Sequence, residues 1–218
     1  MGDLLLVRHG ETEWSRTGRH TGRTDLPLTK TGEEQARALV PLLAGRRIAT
    51  VLCSPLARAV RTAELALPGR RGIVLEPRLQ EWDYGGYEGL TTPEIRADRP
   101  GWDLWHDGVP AGAPGHPGET LAAVGHRCDE VLAVADEALR ATGGAGGGGG
   151  AGGPGGAESD VLLVAHGHVL RVLTARRLGQ HPAAGALYRL ETATLSVLGT
   201  EHDRPVLLGW NLPGSDPR

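Results

Sequence analysis

A chain of 218 residues is long enough for one medium domain with a substantial core, or for one domain carrying an insertion. Its 23 Lys and Arg against 26 Asp and Glu give a formal net charge of −3, which offers no general attraction to nucleic acid or to an anionic membrane and excludes a polyanion-binding protein. The 34 glycines, 15 prolines, single Met and absent Phe read as a coding bias rather than as function.

Leu4–Val7 opens the chain as a short unbroken apolar run, the pattern of a strand buried on both faces. With only four strong hydrophobes before Arg8 it is too short for a signal sequence, and no later stretch approaches the ~20 apolar residues that span a bilayer. A helix is predicted after Thr31-x-x-Glu34, with Ala36, Leu39, Val40 and Leu43 on one face. Thr50–Cys53 repeats the buried-strand pattern, and Ser54-Pro55 reads as the N-cap and first position of a helix through Ala66. Residues 76–118 have few periodic signals and many Gly, Pro and Trp, so they read as a long excursion with short helices over the sheet. Trp82, Trp102 and Trp105 are expected to form its core rather than to stack on a substrate.

Leu121, Val124, Cys128, Val131, Leu132, Ala135 and Leu139 keep one face of a long helix. Eleven of the 14 residues 143–156 are glycine, a composition that buries no apolar surface. The Lys and Ser/Thr of a phosphate-binding P-loop are missing, so the stretch at about 143–157 is expected to be a flexible insertion within a single domain spanning 1–218. Val161–Ala165 is a third buried strand and Val169–Leu178 a helix, and Leu187–Leu190, Thr194–Leu198 and Pro205–Trp210 read as further strands. Alternating strands and helices predict an α/β protein, a three-layer α/β/α sandwich with a central, mostly parallel sheet. Cys53 and Cys128 are too few and too far apart for a disulfide framework or a thiolate metal site, and a reducing cytoplasm is the expected compartment.

Open α/β sheets bind ligands beyond the carboxyl ends of their parallel strands. The first strand ends in Arg8-His9-Gly10, the second leads into a helix carrying Arg58, and the third ends in His166-Gly167-His168. Two arginines and two histidines on one rim have a clear use: guanidinium forks match phosphate oxygens, a helix N-terminus adds N–H groups, and an imidazole can attack phosphorus. A metal site on His9, His166 and His168 is the competing reading. It is disfavoured because no Asp or Glu flanks these strand ends and two arginines stand beside them.

The text Leu6-Val7-Arg8-His9-Gly10-Glu11-Thr12-Glu13-Trp14 is followed by Thr21-Gly22-x-x-Asp25-x-Pro27-Leu28-Thr29 and Ser54-Pro55-Leu56-x-Arg58-Ala59-x-x-Thr62-Ala63. Then come Glu81 with Gly85-x-Tyr87-Glu88-Gly89, and Ala165-His166-Gly167. In this order the motifs resemble the histidine phosphatase superfamily, also called phosphoglycerate-mutase-like. The stretch from Gln80 to Ile95, the Trp102-Asp103-Leu104-Trp105 text and His166-Gly167-His168-x-x-Arg171 are most similar to its sugar-phosphatase branch, which includes sedoheptulose bisphosphatase.

The resemblance implies a phosphoglycerate-mutase-like fold and a metal-independent phosphatase that hydrolyses small phosphomonoesters, sugar phosphates first. His9 is implied as the nucleophile that becomes phosphohistidine. Arg8, Arg58 and His166 are implied to hold the phosphoryl group, and Glu81 to donate the proton. Ser15, Thr21, Gly22, Tyr84, Gly167 and His168 are implied in substrate binding; Ser15 stands where many members have Asn. No cofactor is implied. The expected partner is a small phosphorylated metabolite, with no nucleic acid and no membrane, and homodimerisation is left open. Two other functions remain at this stage: mutase-type phosphoryl transfer, and a non-catalytic phospholigand-binding module.

Overall fold

The computed structural model describes residues 2–143 and 158–214. The glycine-rich stretch expected as an insertion lies, past residue 143, outside the described residues.

Six strands form one sheet in the order β3-β2-β4-β1-β5-β6. Strands β1 (Leu4–Arg8), β2 (Ile48–Cys53), β3 (Ile73–Leu75) and β4 (Asp160–Ala165) run parallel. Strands β5 (Thr194–Glu201) and β6 (Arg204–Pro213) close one side as an antiparallel pair beside β1. The expected mostly parallel sheet is therefore present, with an antiparallel margin.

Both faces are covered, as the unbroken apolar runs require. Leu4 and Leu6 of β1 pack with Leu52 and Leu163 against α7 (Leu121–Gly143) and α8 (Gly167–Arg177). Leu5 and Val7 point the other way and pack with Val51, Cys53 and Leu162 against α3 (Val40–Ala44) and α4 (Ala57–Ala66). Helix α2 (Lys30–Ala38) lies beside α4. Among the described residues, the further helices α1 (Glu13–Thr17), α5 (Thr92–Asp98) and α6 (Leu104–Asp107) are short and belong to the loops above the strand ends. Trp82 and Trp102 are buried in the first of these cores, as expected for the excursion. Among the described residues no helix is long and apolar enough to cross a membrane.

Four local expectations need correction. The cap of α2 is Thr29, whose hydroxyl accepts from the Gly32 N–H, rather than Thr31. The helix predicted beyond it breaks at Leu39, because Pro41 lacks the N–H that a continuous helix needs. Ser54 is not the cap of α4, which starts at Ala57 after Leu56 with no side-chain cap; the Ser54 hydroxyl is held by His166 instead. Leu187–Leu190 is not a strand: Leu187 ends a 3₁₀ segment begun at Pro182 and is 79% exposed. The short strand β3, with Val74 and Leu75 exposed at the sheet edge, gave no sequence signal.

Candidate active site

The carboxyl ends of β1 and β4 bring Arg8-His9-Gly10 and His166-Gly167-His168 side by side, with the His9 N–H donating to the Ala165 carbonyl at 2.9 Å. Gly10 is required there, since a Cβ would stand 2.3 Å from the Gly32 carbonyl oxygen. The His9 ring is 4% exposed, and its Nδ1 lies 2.7 Å from the Gly10 carbonyl. A carbonyl only accepts, so Nδ1 carries the proton and Nε2 keeps its lone pair. Burial, then the charges of Arg58 and Arg8, hold His9 well below the ordinary histidine range, so the ring stays neutral.

Arg58, the second residue of α4, is fully buried. Its Nε donates to His166 Nδ1 at 3.1 Å, and its Nη atoms donate to the carbonyls of Thr21, Gly22 and Thr24. His166 Nδ1 is thus an acceptor, and its Nε2–H donates to Ser54 Oγ at 2.7 Å. Burial and the Arg58 charge keep His166 neutral as well. Arg8 is held through its Nη1 to the Leu190 carbonyl, while its buried Nε has no partner in the described structure. Burial lowers both guanidinium groups, yet arginine starts so high that both remain cations.

Glu81 approaches from the excursion and caps the first turn of α8. Its Oε1 accepts from the Trp82 and Val169 N–H groups at 2.9 and 2.8 Å, and its Oε2 from the His168 N–H at 2.9 Å. A Cβ on Gly167 would lie 3.4 Å from Arg8 Nε and 3.6 Å from Glu81 Oε2. The missing side chain is therefore what leaves the space between the base of the site and the carboxylate.

Arg8, His9, Glu81 and Gly167 open onto a cavity of about 280 Å³. Of the residues singled out in the sequence, Arg8, His9, Ser15, Thr21, Glu81, Tyr84, Gly167 and His168 line it. Arg58, His166 and Gly22 are buried and are not among its lining residues. Gly22 donates to Glu88 and gives its carbonyl to Arg58, and a Cβ there would stand 2.5 Å from the Trp82 carbonyl oxygen. Ser15 spends its hydroxyl on the cap of α1, exchanging hydrogen bonds with Thr12, and Thr21 donates to the Arg19 carbonyl. The Tyr84 hydroxyl lies 2.6 Å from His168 Nδ1; burial raises the phenol well above 10 and pushes the imidazole well below its ordinary range.

Six further residues line the cavity without a site role in the sequence reading: Gly18, Arg19, His20, Thr92, Arg171 and Leu190; of these, Thr92 and Arg171 stood in the family text. The His20 ring packs 4.8 Å from the Tyr84 ring at a tilt of 49° and edge-on to Trp102, and burial lowers its pKa to about 4. Two of them lie close in sequence to predicted residues, His20 beside Thr21 and Arg171 one helical turn after His168. Only the folded excursion gives them a common cavity.

The profile described as "Histidine phosphatase superfamily (branch 1)" matches residues 4–213. The chain belongs to this family. It is 40% identical to an acid phosphatase of Mycobacterium tuberculosis over 91% of this chain and 87% of that one. It is 33% identical to the sedoheptulose 1,7-bisphosphatase of Saccharomyces cerevisiae over 78% of this chain and 65% of the relative. Among solved structures, that of a Mycobacterium tuberculosis open reading frame superposes with a TM-score of 0.81 at 39% identity, covering 98% of each chain. The fold and family expected from the motifs are therefore those of its relatives.

Proposed function

We propose that this chain is a metal-independent phosphomonoester hydrolase acting on small sugar phosphates through a phosphohistidine on His9. The observation that carries the reading is the neutral His9 ring with its proton fixed on Nδ1, which aims a free Nε2 lone pair into a cavity walled by Arg8 and Glu81. Similarity to a named sedoheptulose bisphosphatase and to an acid phosphatase supports the substrate class.

In the first half-reaction Nε2 attacks phosphorus and the bond to the alcohol oxygen breaks, with Glu81 giving that oxygen a proton. In the second, Glu81 takes a proton from water, the water oxygen bonds to phosphorus, and the P–N bond breaks to release phosphate. Charge in a loose phosphoryl-transfer transition state spreads over the equatorial oxygens, so fixed cations supply most of the stabilisation. The orphaned Arg8 Nε is a ready donor to one of those oxygens. Arg58 contributes its charge from behind, and His166 acts as a positioning residue that fixes the Arg58 guanidinium.

The test is a panel of phosphorylated sugars and 3-phosphoglycerate, followed both for released phosphate and for phosphoryl transfer between hydroxyls, with acid-labile, alkali-stable labelling of the protein as a third readout. Phosphate release with label lost in His9→Ala is expected. Transfer without release would replace hydrolase by mutase. Release with no label would remove the covalent step.

A further inference from the structure

Arg127, in the second turn of α7, and Glu119, just ahead of that helix, form an ion pair whose side chains are only 11% and 16% exposed. Arg127 Nε donates to Glu119 Oε1 at 2.9 Å and Nη2 to Oε2 at 3.1 Å, a two-pronged fork. The third nitrogen of the same guanidinium, Nη1, donates to the carbonyls of Arg78 and Gln80, both at 2.6 Å. Glu119 takes the other end of that segment. Its Oε2 accepts from the Asp83 N–H at 2.9 Å, its own N–H donates to the Asp83 carbonyl at 3.0 Å, and its carbonyl accepts from the Trp82 indole N–H at 2.9 Å. Glu81 lies between these two grips.

Residues 80–84 belong to no helix or strand, so no ladder of hydrogen bonds fixes their register, and their peptide groups need other partners. Leu79 and Trp82 share one apolar core with Val124, Cys128 and Val131, which already holds the segment against α7. Apolar contact is non-directional, whereas a fork that clasps carbonyls on one side of Glu81 and an N–H on the other specifies where its Cα sits. A proton donor needs that precision. Its carboxyl must come within about 2.6–3.2 Å of the leaving oxygen, and a misplacement of ~1 Å can cost ~10²-fold in rate. Neither Arg127 nor Glu119 lines the cavity, so neither touches a substrate there.

We propose that the Glu119–Arg127 pair positions the proton donor: it places Glu81 for acid and base catalysis without contacting the substrate. This rests on the phosphatase reading above, in which Glu81 protonates the leaving alcohol, and extends it to the groups that aim the carboxyl.

Removing one member of a nearly buried pair strands the charge of the other, so the test uses the milder Arg127→Lys and Glu119→Gln. Lysine keeps the charge but has no fork, and glutamine keeps an acceptor for the Asp83 N–H but not the charge. kcat/KM is measured on glycerol 1-phosphate, whose alkoxide needs a proton to leave, and on p-nitrophenyl phosphate, whose phenolate does not. Both variants are expected to raise the aryl-to-alkyl ratio about tenfold or more, with the loss on the alkyl ester carried by kcat and its KM within about twofold of wild type. A burst of nitrophenol should accompany it, because hydrolysis of the phosphohistidine has lost its base. In a Glu81→Gln background, which has no proton left to aim, the same changes should leave the ratio where Glu81→Gln alone puts it. Equal slowing of both esters, in step with a lower Tm, would mean that the pair only ties the segment to α7, and would overturn the proposal. So would unchanged rates on both esters, or a further change of the ratio in the Glu81→Gln background. If one variant fails to fold, the other decides; failure of both would assign the pair to stability and overturn the proposal too. A Glu81→Gln enzyme with the wild-type ratio is a separate outcome, which removes Glu81 as the acid and with it the reason for aiming it.

Discussion

Arg8, His9 and His166 stand where parallel strands end, and Arg58 in the first turn of a helix, so regular backbone places all four at the base of the site. Glu81, Tyr84 and His20 stand on the wall, carried by irregular chain and 3₁₀ turns whose shape depends on contacts between distant segments. The base can lose a side chain and keep its geometry, since the ladder hydrogen bonds hold it. The wall cannot be separated from its backbone in this way, and chemistry and shape there fail together. Activity and stability measured on the same variants will break or sharpen that contrast.

The largest effect is expected at the base. His9→Ala removes the nucleophile and should lower kcat/KM by ~10⁴ or more while circular dichroism and Tm stay near wild type, because the backbone N–H still bonds Ala165. Residual turnover above about a hundredth would sink the phosphohistidine mechanism. A collapse of Tm would instead erase the contrast between base and wall.

Glu81→Gln comes next. It removes the transferable proton from the group cradled by Trp82, His168 and Val169, so alkyl phosphates should be cleaved ~10²–10⁴-fold more slowly. p-Nitrophenolate leaves without a proton, so that ester should give a burst roughly equal to the enzyme present and then slow turnover. Equal slowing of both esters without a burst would reassign Glu81 to structure, and Asp83 or Glu88 would become the acid to test.

The same contrast decides what was legible in the sequence. Strands β1, β2 and β4 announce themselves as unbroken apolar runs because both their faces are buried, and the rim residues follow from where those runs stop. Ser54 misled because Ser-Pro is a local cap signal, whereas its real partner, His166, lies 112 residues away. His20 and Arg171 were unreadable as neighbours because the cavity joining them is closed by chain with no period. Gly22 matched the family text as a binding residue, yet its conspicuous property is the lack of a Cβ beside the Trp82 carbonyl. A motif identifies the residue type a position needs, and only the packing tells whether a ligand or a neighbouring backbone needs it.

Gly85→Ala probes the wall through its backbone. Gly85 has φ +55°, and a Cβ there would stand 2.1 Å from the carbonyl oxygen of Pro110, the same oxygen that accepts from the Gly86 N–H at 2.9 Å. Overpacking and left-handed backbone strain together should cost about 2–3 kcal/mol by denaturant unfolding, with kcat/KM reduced as well, since Tyr84 adjoins the displaced turn. Unchanged stability with lost activity would show that the wall, like the base, can change chemistry at fixed shape.

The smallest effect is one of slope. His20 has a folded pKa of about 4 because it is buried, against about 6.5 in an unfolded chain. Between those values the unfolded state binds a proton that the folded state refuses, so stability falls as pH drops from 6.5 towards 4 and is fully present above 6.5. His9, His166 and His168 are lowered for the same first reason and add to the same trend. Each histidine contributes at most about 1.4 kcal/mol per pH unit within its window. His20→Gln should therefore flatten the dependence of unfolding free energy on pH by about that amount per unit between 6 and 4.5, whatever it does to stability at pH 7, where the lost ring contacts with Tyr84 and Trp102 and the lost contact with the Thr92 hydroxyl are felt. Because a slope cancels that packing loss, the measurement isolates the proton. An unchanged slope would mean that the His20 ring is open to water in solution and that the wall is looser than the base beneath it.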